Sequence, residues 1–189
     1  FTALTEVQGV LESEGVTTQM FWVGNQPVAG CTACGYCDRH DRCVVDDDRV
    51  NHLLDTPFDA LVVGSPVYYG AASGQVTSFL NRLFFSGSER FEGRFGAAVV
   101  SCRRAGATAT FDQLNKYFLI ANMPVVPSQY WNMVHGNSPA QVQQDLEGMQ
   151  TMRTLGHNLA WMLRMKAAGK DAAIAPPVRE PRVSTNFIR

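Results

Sequence analysis

Two stretches of the chain, Asp59–Ser65 (D-A-L-V-V-G-S) and Phe95–Cys102 (F-G-A-A-V-V-S-C), are almost unbroken runs of apolar and small residues. A strand with one wet face alternates apolar and polar side chains, so runs this continuous belong to strands covered on both faces, as in a parallel sheet. Pro66 is expected to end the first. A β-branched and aromatic stretch, Thr17–Gly24 (T-T-Q-M-F-W-V-G), and Pro124–Pro127 (P-V-V-P) are predicted as further strands. Helical patterns lie between. Leu4, Val7, Val10 and Leu11 form a stripe that Gly15 stops, and Val76, Phe79, Leu80, Leu83 and Phe84 follow i, i+3, i+4, i+7, i+8 spacing. Asp46 to Asp48 place acids where a helix through Val50, Leu53 and Leu54 should begin. Thr110-Phe111-Asp112-Gln113 has the form of a capping box, and Ser138-Pro139-Ala140-Gln141 announces a last long helix through Val142, Leu146, Met149, Leu155, Leu159 and Leu163. Strict alternation of helix and strand predicts an α/β fold: a doubly wound parallel sheet in three α/β/α layers. One domain is expected over residues 1–170, with an extended Pro- and Arg-rich tail over 171–189.

With 16 basic against 17 acidic residues the net charge is -1, which gives no field to draw nucleic acid or an anionic bilayer. No apolar run approaches the roughly 20 residues needed to span a membrane, and no signal-like segment opens the chain, so the expected compartment is the cytoplasm. There, five cysteines with four clustered argue for metal or redox chemistry rather than a disulfide framework.

Ligands of open parallel sheets bind beyond the carboxyl ends of the strands. The loop after the Asp59 run holds Ser65, Pro66, Val67, Tyr68, Tyr69 and Gly70, and the loop after the Phe95 run holds Ser101, Arg103, Arg104, Ala105 and Gly106. Small residues that let backbone N–H groups approach, tyrosines that stack, and two arginines suit a planar, anionic or polarised ligand. The four clustered cysteines, Cys31, Cys34, Cys37 and Cys43, are spaced C-x2-C-x2-C-x5-C in the loop 30–45. The first three match the start of a ferredoxin run. Zinc prefers two separated hooks and fits poorly. Free thiols at a subunit contact, or a reversible Cys31–Cys34 disulfide, remain open. Cys102 reads as a packed thiol, and His52, His135 and His157 lack partners at metal-ligand spacing.

Together, S-P-V-Y-Y-G, R-R-A-G, G-C-x-A-C-G-x-C, Gln129–Gly136 (Q-Y-W-N-M-V-H-G) and the closing T-N-F-I-R resemble the NADPH-dependent FMN reductase and iron-sulfur flavoprotein family of the flavodoxin-like superfamily. The resemblance runs from about Thr2 to Arg189. It implies FMN bordered by Pro66–Gly70 on one side and by Ser101 and Arg103–Gly106 on the other, with Arg104 tuning the reduced flavin. It implies a 4Fe-4S cluster on Cys31, Cys34, Cys37 and Cys43 beside the flavin, and electrons from NAD(P)H or ferredoxin passing to a small flavin or quinone acceptor. No side chain is expected as a catalytic acid or base. A homodimer or homotetramer is implied, with Tyr130, Trp131 and the tail as contacts. The alternatives are a cluster-free FMN or quinone reductase and a flavodoxin-like electron carrier, the latter disfavoured by the near-neutral charge. Members of the family open with a strand and a Gly-Ser-Pro-rich phosphate loop. Neither is in this sequence, so a longer natural chain is expected, with its first strand between the Thr17 and Asp59 strands.

Overall fold

Both apolar runs form the central strands of the sheet. The computed structural model describes residues 1–189 except 47, 48, 182, 186, 188 and 189. In chain order the elements are α1 (Thr2–Ser13), α2 (Cys37–His40), α3 (Val50–Asp55), β1 (Ala60–Tyr68), β2 (Ala71–Ala72), α4 (Gly74–Gly87), a 3-10 turn (Ser88–Phe91), β3 (Phe95–Cys102), α5 (Ala107–Ile120), β4 (Met133–His135), α6 (Pro139–Gln144) and α7 (Leu146–Asp171). The sheet order is β2-β1-β3-β4. β1 and β3 run parallel in register from Ala60↔Phe95 to Pro66↔Ser101, and β4 continues parallel with Val100↔Met133. Only the two-residue β2 is antiparallel, paired as Val67↔Ala72 and Tyr68↔Ala71.

Two apolar cores cover the two faces of this sheet, which is why its strands carry no polar alternation. On one face Leu80, Leu83 and Phe84 of α4 meet Leu114 and Phe118 of α5 over Ala98 and Val100. On the other, Val7 and Leu11 of α1 meet Met152, Leu155 and Leu159 of α7 over Ala97 and Val99. These are the three expected layers. Gly156 sets the approach of α1 to α7: a Cβ there would lie 2.8 Å from that of Val10 and 3.2 Å from the Val7 carbonyl oxygen.

Four local expectations are corrected. Pro66 does not end β1, because β2 folds back on Val67 and Tyr68 and a proline is tolerated near such an edge. The helix predicted from Thr110 begins at Ala107, and Thr110 is buried inside it rather than capping it. The last long helix is two. Ser138 Oγ accepts from Gln141 N–H (3.3 Å) to open α6, the chain breaks at Asp145 (ψ 80°), and Asp145 Oδ1 accepts from Gly148 N–H (2.9 Å) to open α7. The strand predicted over Thr17–Gly24 has no ladder among the described residues. Its side chains and the open edge of β1 instead face each other across a groove of about 1640 Å³ walled by Val16, Phe21, Val62, Gly64 and Leu80. An extended segment without a partner in hydrogen-bonding reach is not a strand, whatever its propensity.

Pro124–Pro127 contributes a single bridge, Gly96↔Val125, before the chain leaves the sheet and returns as β4. Of the acids expected to open α3, Asp47 and Asp48 lie outside the described residues.

Candidate functional site

Parallel register makes β1 and β3 end side by side, so the residues following them form one rim. Pro66 sits opposite Ser101, and the loop after β1 is a tight hairpin whose turn is Tyr69-Gly70. Tyr69 is held at φ 62° with its ring fully in solvent, and Tyr68 is also exposed. An L-residue at positive φ is uncommon outside Gly, Asn and Asp, and such strain gathers at ligand-binding turns. The facing loop turns at Gly106, φ 85°, where a Cβ would lie 2.9 Å from Val67 Cγ1. Glycine is therefore required twice over, by conformation and by contact with the hairpin. Arg103, Arg104 and Ala105 are exposed on this loop, and neither guanidinium makes a hydrogen bond or ion pair among the described residues.

Ser65 lies beneath the rim. It is 4% exposed; its hydroxyl donates to the Pro66 carbonyl (2.9 Å) and accepts from Ser73 N–H (3.0 Å). Ser73 in turn caps α4, its Oγ accepting from Val76 N–H at 3.4 Å. Ser65 thus fixes the hairpin to the start of α4 and presents no hydroxyl to a ligand. Cys102 is buried at the end of β3, and burial pushes its thiol pKa up.

The cysteine loop lies elsewhere. Cys31, Cys34, Cys37 and Cys43 all line one hollow of about 20 Å³, closed by Arg82, Phe85 and Ser86 of α4. Because α4 rises about 1.5 Å per residue, these side chains stand about 12–18 Å along the helix from its start at the hairpin. Within one chain the thiols and the strand-end rim are therefore at opposite ends of α4, not side by side.

Positive φ at Ala33, Gly35 and Asp41 coils the loop, and the single turn α2 places Cys37 against the Phe85 carbonyl oxygen (3.9 Å). Burial, then the neighbouring Asp38 carboxylate, raises the Cys37 pKa. Cys31 Sγ accepts from Ala33 N–H at 3.5 Å, and both Cys31 and Cys34 are exposed. Four thiols on one hollow are the right donor set for an iron-sulfur cluster. A hollow of this size holds little more than a water, and among the described residues no group of three or more His, Cys, Asp or Glu side chains is arranged to hold a metal ion.

Sequence reasoning missed Arg82 and Asn51. Arg82 is 1% exposed on α4, its Nε donating to Cys43 Sγ (3.1 Å) and its Nη2 to the Val45 carbonyl (2.6 Å). Asn51, 5% exposed on α3, accepts from Cys43 N–H (2.9 Å) and donates to the Cys43 carbonyl (3.0 Å). The available signal was spacing: Arg82 falls three residues after Phe79, on the edge of the apolar stripe, where an arginine needs a partner.

A doubly wound sheet with its loops gathered at the strand ends defines a flavodoxin-like fold, and solved structures agree. A flavodoxin from the domain Archaea superposes with a TM-score of 0.54 at 16% identity, covering 86% of this chain and 89% of that one. RosB, solved with bound 8-demethyl-8-formylriboflavin-5'-phosphate, superposes with a TM-score of 0.61 at 15% identity, covering 100% of this chain and 85% of the other. The family model for NADPH-dependent FMN reductase matches residues 1–138, and the chain belongs to that family. It is a flavin oxidoreductase with FMN as its cofactor. An iron-sulfur flavoprotein of Methanocaldococcus jannaschii is 27% identical over 172 residues, 85% of this chain and 88% of its own length. One from Methanosarcina thermophila is 28% identical over 169 residues, 86% of each chain. No helix among the described residues is long and apolar enough to cross a membrane.

Proposed function

We propose that the chain holds FMN at the rim formed by Pro66–Gly70 and by Ser101 and Arg103–Gly106, takes electrons from NAD(P)H or a reduced ferredoxin, and delivers them to a small acceptor such as a flavin or quinone. The observation that carries this reading is the abutment of the two loops at the carboxyl ends of adjacent parallel strands. When bound, FMN supplies hydride acceptance from a nicotinamide and electron release to an acceptor. The chain supplies position and electrostatics. The hairpin and the Gly106 loop would offer backbone and ring faces to a flat heterocycle, and Arg103 and Arg104 would supply positive charge that favours the reduced, anionic flavin. No side chain on the rim is needed to hold a proton.

We further propose that Cys31, Cys34, Cys37 and Cys43 carry a 4Fe-4S cluster, which would supply a one-electron store. The shared hollow and the iron-sulfur flavoprotein relatives support this. A cluster-free reductase is the second reading, and the family model for NADPH-dependent FMN reductase accommodates it. The reading extends to a homodimer, with exposed Tyr130 and Trp131 as contacts.

Anaerobic absorption spectra with iron and sulfide analysis decide between the two. Flavin bands on a broad shoulder with about four irons per chain are expected. Flavin without iron leaves the simple reductase, and a protein that takes up neither overturns the proposal.

A further inference from the structure

The four thiols of the cysteine loop are not equivalent. Cys31 and Cys34 are exposed, Cys37 is half-buried, and Cys43 alone is gripped on three sides. Asn51 of α3 bonds both backbone groups of Cys43, and Arg82 of α4 donates Nε–H to its sulfur while a second guanidinium nitrogen bonds the Val45 carbonyl. Ser86 Oγ donates to the Arg82 carbonyl (2.7 Å), one turn further along the same helix. α4 is packed into one of the two apolar cores through Phe79, Leu80, Leu83 and Phe84, so this grip is anchored to the core. Elsewhere the loop is held more lightly, by Cys37 against the Phe85 carbonyl (3.9 Å) and by Arg90 donating to the Asp41 carbonyl.

We propose that Arg82 is a positioning residue of the cysteine loop: it holds the Cys43 sulfur against the inner wall, and it stays hydrogen-bonded to that sulfur when the cluster is bound. The inference rests on the cluster reading above. Two consequences follow from chemistry. An anchored fourth ligand gives the cluster a fixed seat against α4, around which the exposed loop with Cys31 and Cys34 closes. A hydrogen bond to a ligand sulfur withdraws electron density from it and favours the reduced cluster, so the donor raises the reduction potential. The effect of substitution is therefore read in the cluster potential as well as in iron content.

The test uses the whole protein, reconstituted anaerobically with iron and sulfide, as wild type, Arg82→Met and Arg82→Lys. Iron per chain, flavin per chain and the cluster midpoint from a redox titration followed by electron paramagnetic resonance are measured. The expected result is full flavin in all three. In Arg82→Met, iron is either lost or retained with a midpoint shifted negative; Arg82→Lys, which keeps a donor in the same region, retains iron with a smaller negative shift. Arg82→Met with wild-type iron and a wild-type midpoint overturns the role of Arg82 and leaves the cluster reading standing. Wild type without iron overturns both. If Arg82→Met does not fold, judged by circular dichroism, Arg82→Lys decides: a midpoint identical to wild type overturns the proposal and a negative shift supports it.

Discussion

At the scale of single residues, burial separates the five cysteines more sharply than sequence position does. Cys102, on the packed face of β3, is 3% exposed, and burial raises its thiol pKa, while Cys31 and Cys34 stand in solvent. The thiolate is the nucleophile, so a buried thiol with a raised pKa reacts slowly both because reagent cannot reach it and because less of it is ionised at a given pH. In metal-free protein at mildly alkaline pH, iodoacetamide is expected to label Cys31 and Cys34 within minutes and Cys102 only after denaturation. Peptide mass spectrometry at timed quenches checks this, and early labelling of Cys102 would contradict the packed β3 end. The cysteine cluster was legible because its spacing is local. Arg82 was not, because its partner Cys43 is distant in sequence and only the docking of α4 against the loop brings them together. The bond that carries Ser65's hydroxyl inward to Ser73 was likewise beyond local pattern, because it depends on the hairpin.

At the scale of elements, α1 and α7 pack against each other, and one carboxylate ties the end of α1 to the middle of α7. Glu14 accepts from Arg164 Nη1 (2.7 Å) and pairs with His157 Nδ1 (2.8 Å). The hydrogen bond from Arg164, then that with His157, holds its pKa below the ordinary 4.5. A carboxylate with a depressed folded pKa stabilises the fold above its unfolded pKa, and that contribution fades as pH falls from there through the folded value. Glu14→Gln is therefore expected to be less stable than wild type at neutral pH, with the gap closing below about pH 4.5. Urea titrations at a series of pH values read this directly. Curves that already coincide at neutral pH, or that keep a constant gap down to strongly acid pH, would show that the ionised pair contributes nothing. The helices themselves were readable from their stripes because an apolar face at 3.6-residue period has few other uses. Their ends were less so: the α6–α7 break comes from Asp145, whose carboxylate caps α7 and also accepts from the His135 backbone N–H of β4 (2.6 Å), a tertiary demand that no local pattern contains.

At the scale of the whole molecule, the groove between the Thr17–Val23 segment and β1 divides the structure into parts of unequal protection. β3 is paired on both sides and sealed by both cores, with Ala98 and Val100 fully buried. β1 is sealed on its β3 side, but all of its residues except Ser65 are partly exposed towards the groove or the rim. Residues 17–23 alternate partly buried and exposed side chains over much of their length, as a strand would, and their β-branched and aromatic composition made them look like one in sequence. Among the described residues they have no ladder partner, because whether a segment is a strand depends on what lies beside it. Amide exchange follows the free energy of opening, lowest where backbone groups already meet solvent and highest in doubly paired core strands. For this 189-residue chain the expected order of protection is therefore β3 first, then β1, then residues 17–23, the last exchanging within the earliest time points. Exchange followed by mass spectrometry resolves the three peptides. Protection of residues 17–23 equal to that of β3 would mean that the groove closes in solution and the segment pairs directly with the sheet, carrying Phe21 with it from its present contacts with His52 of α3 and Phe79 of α4.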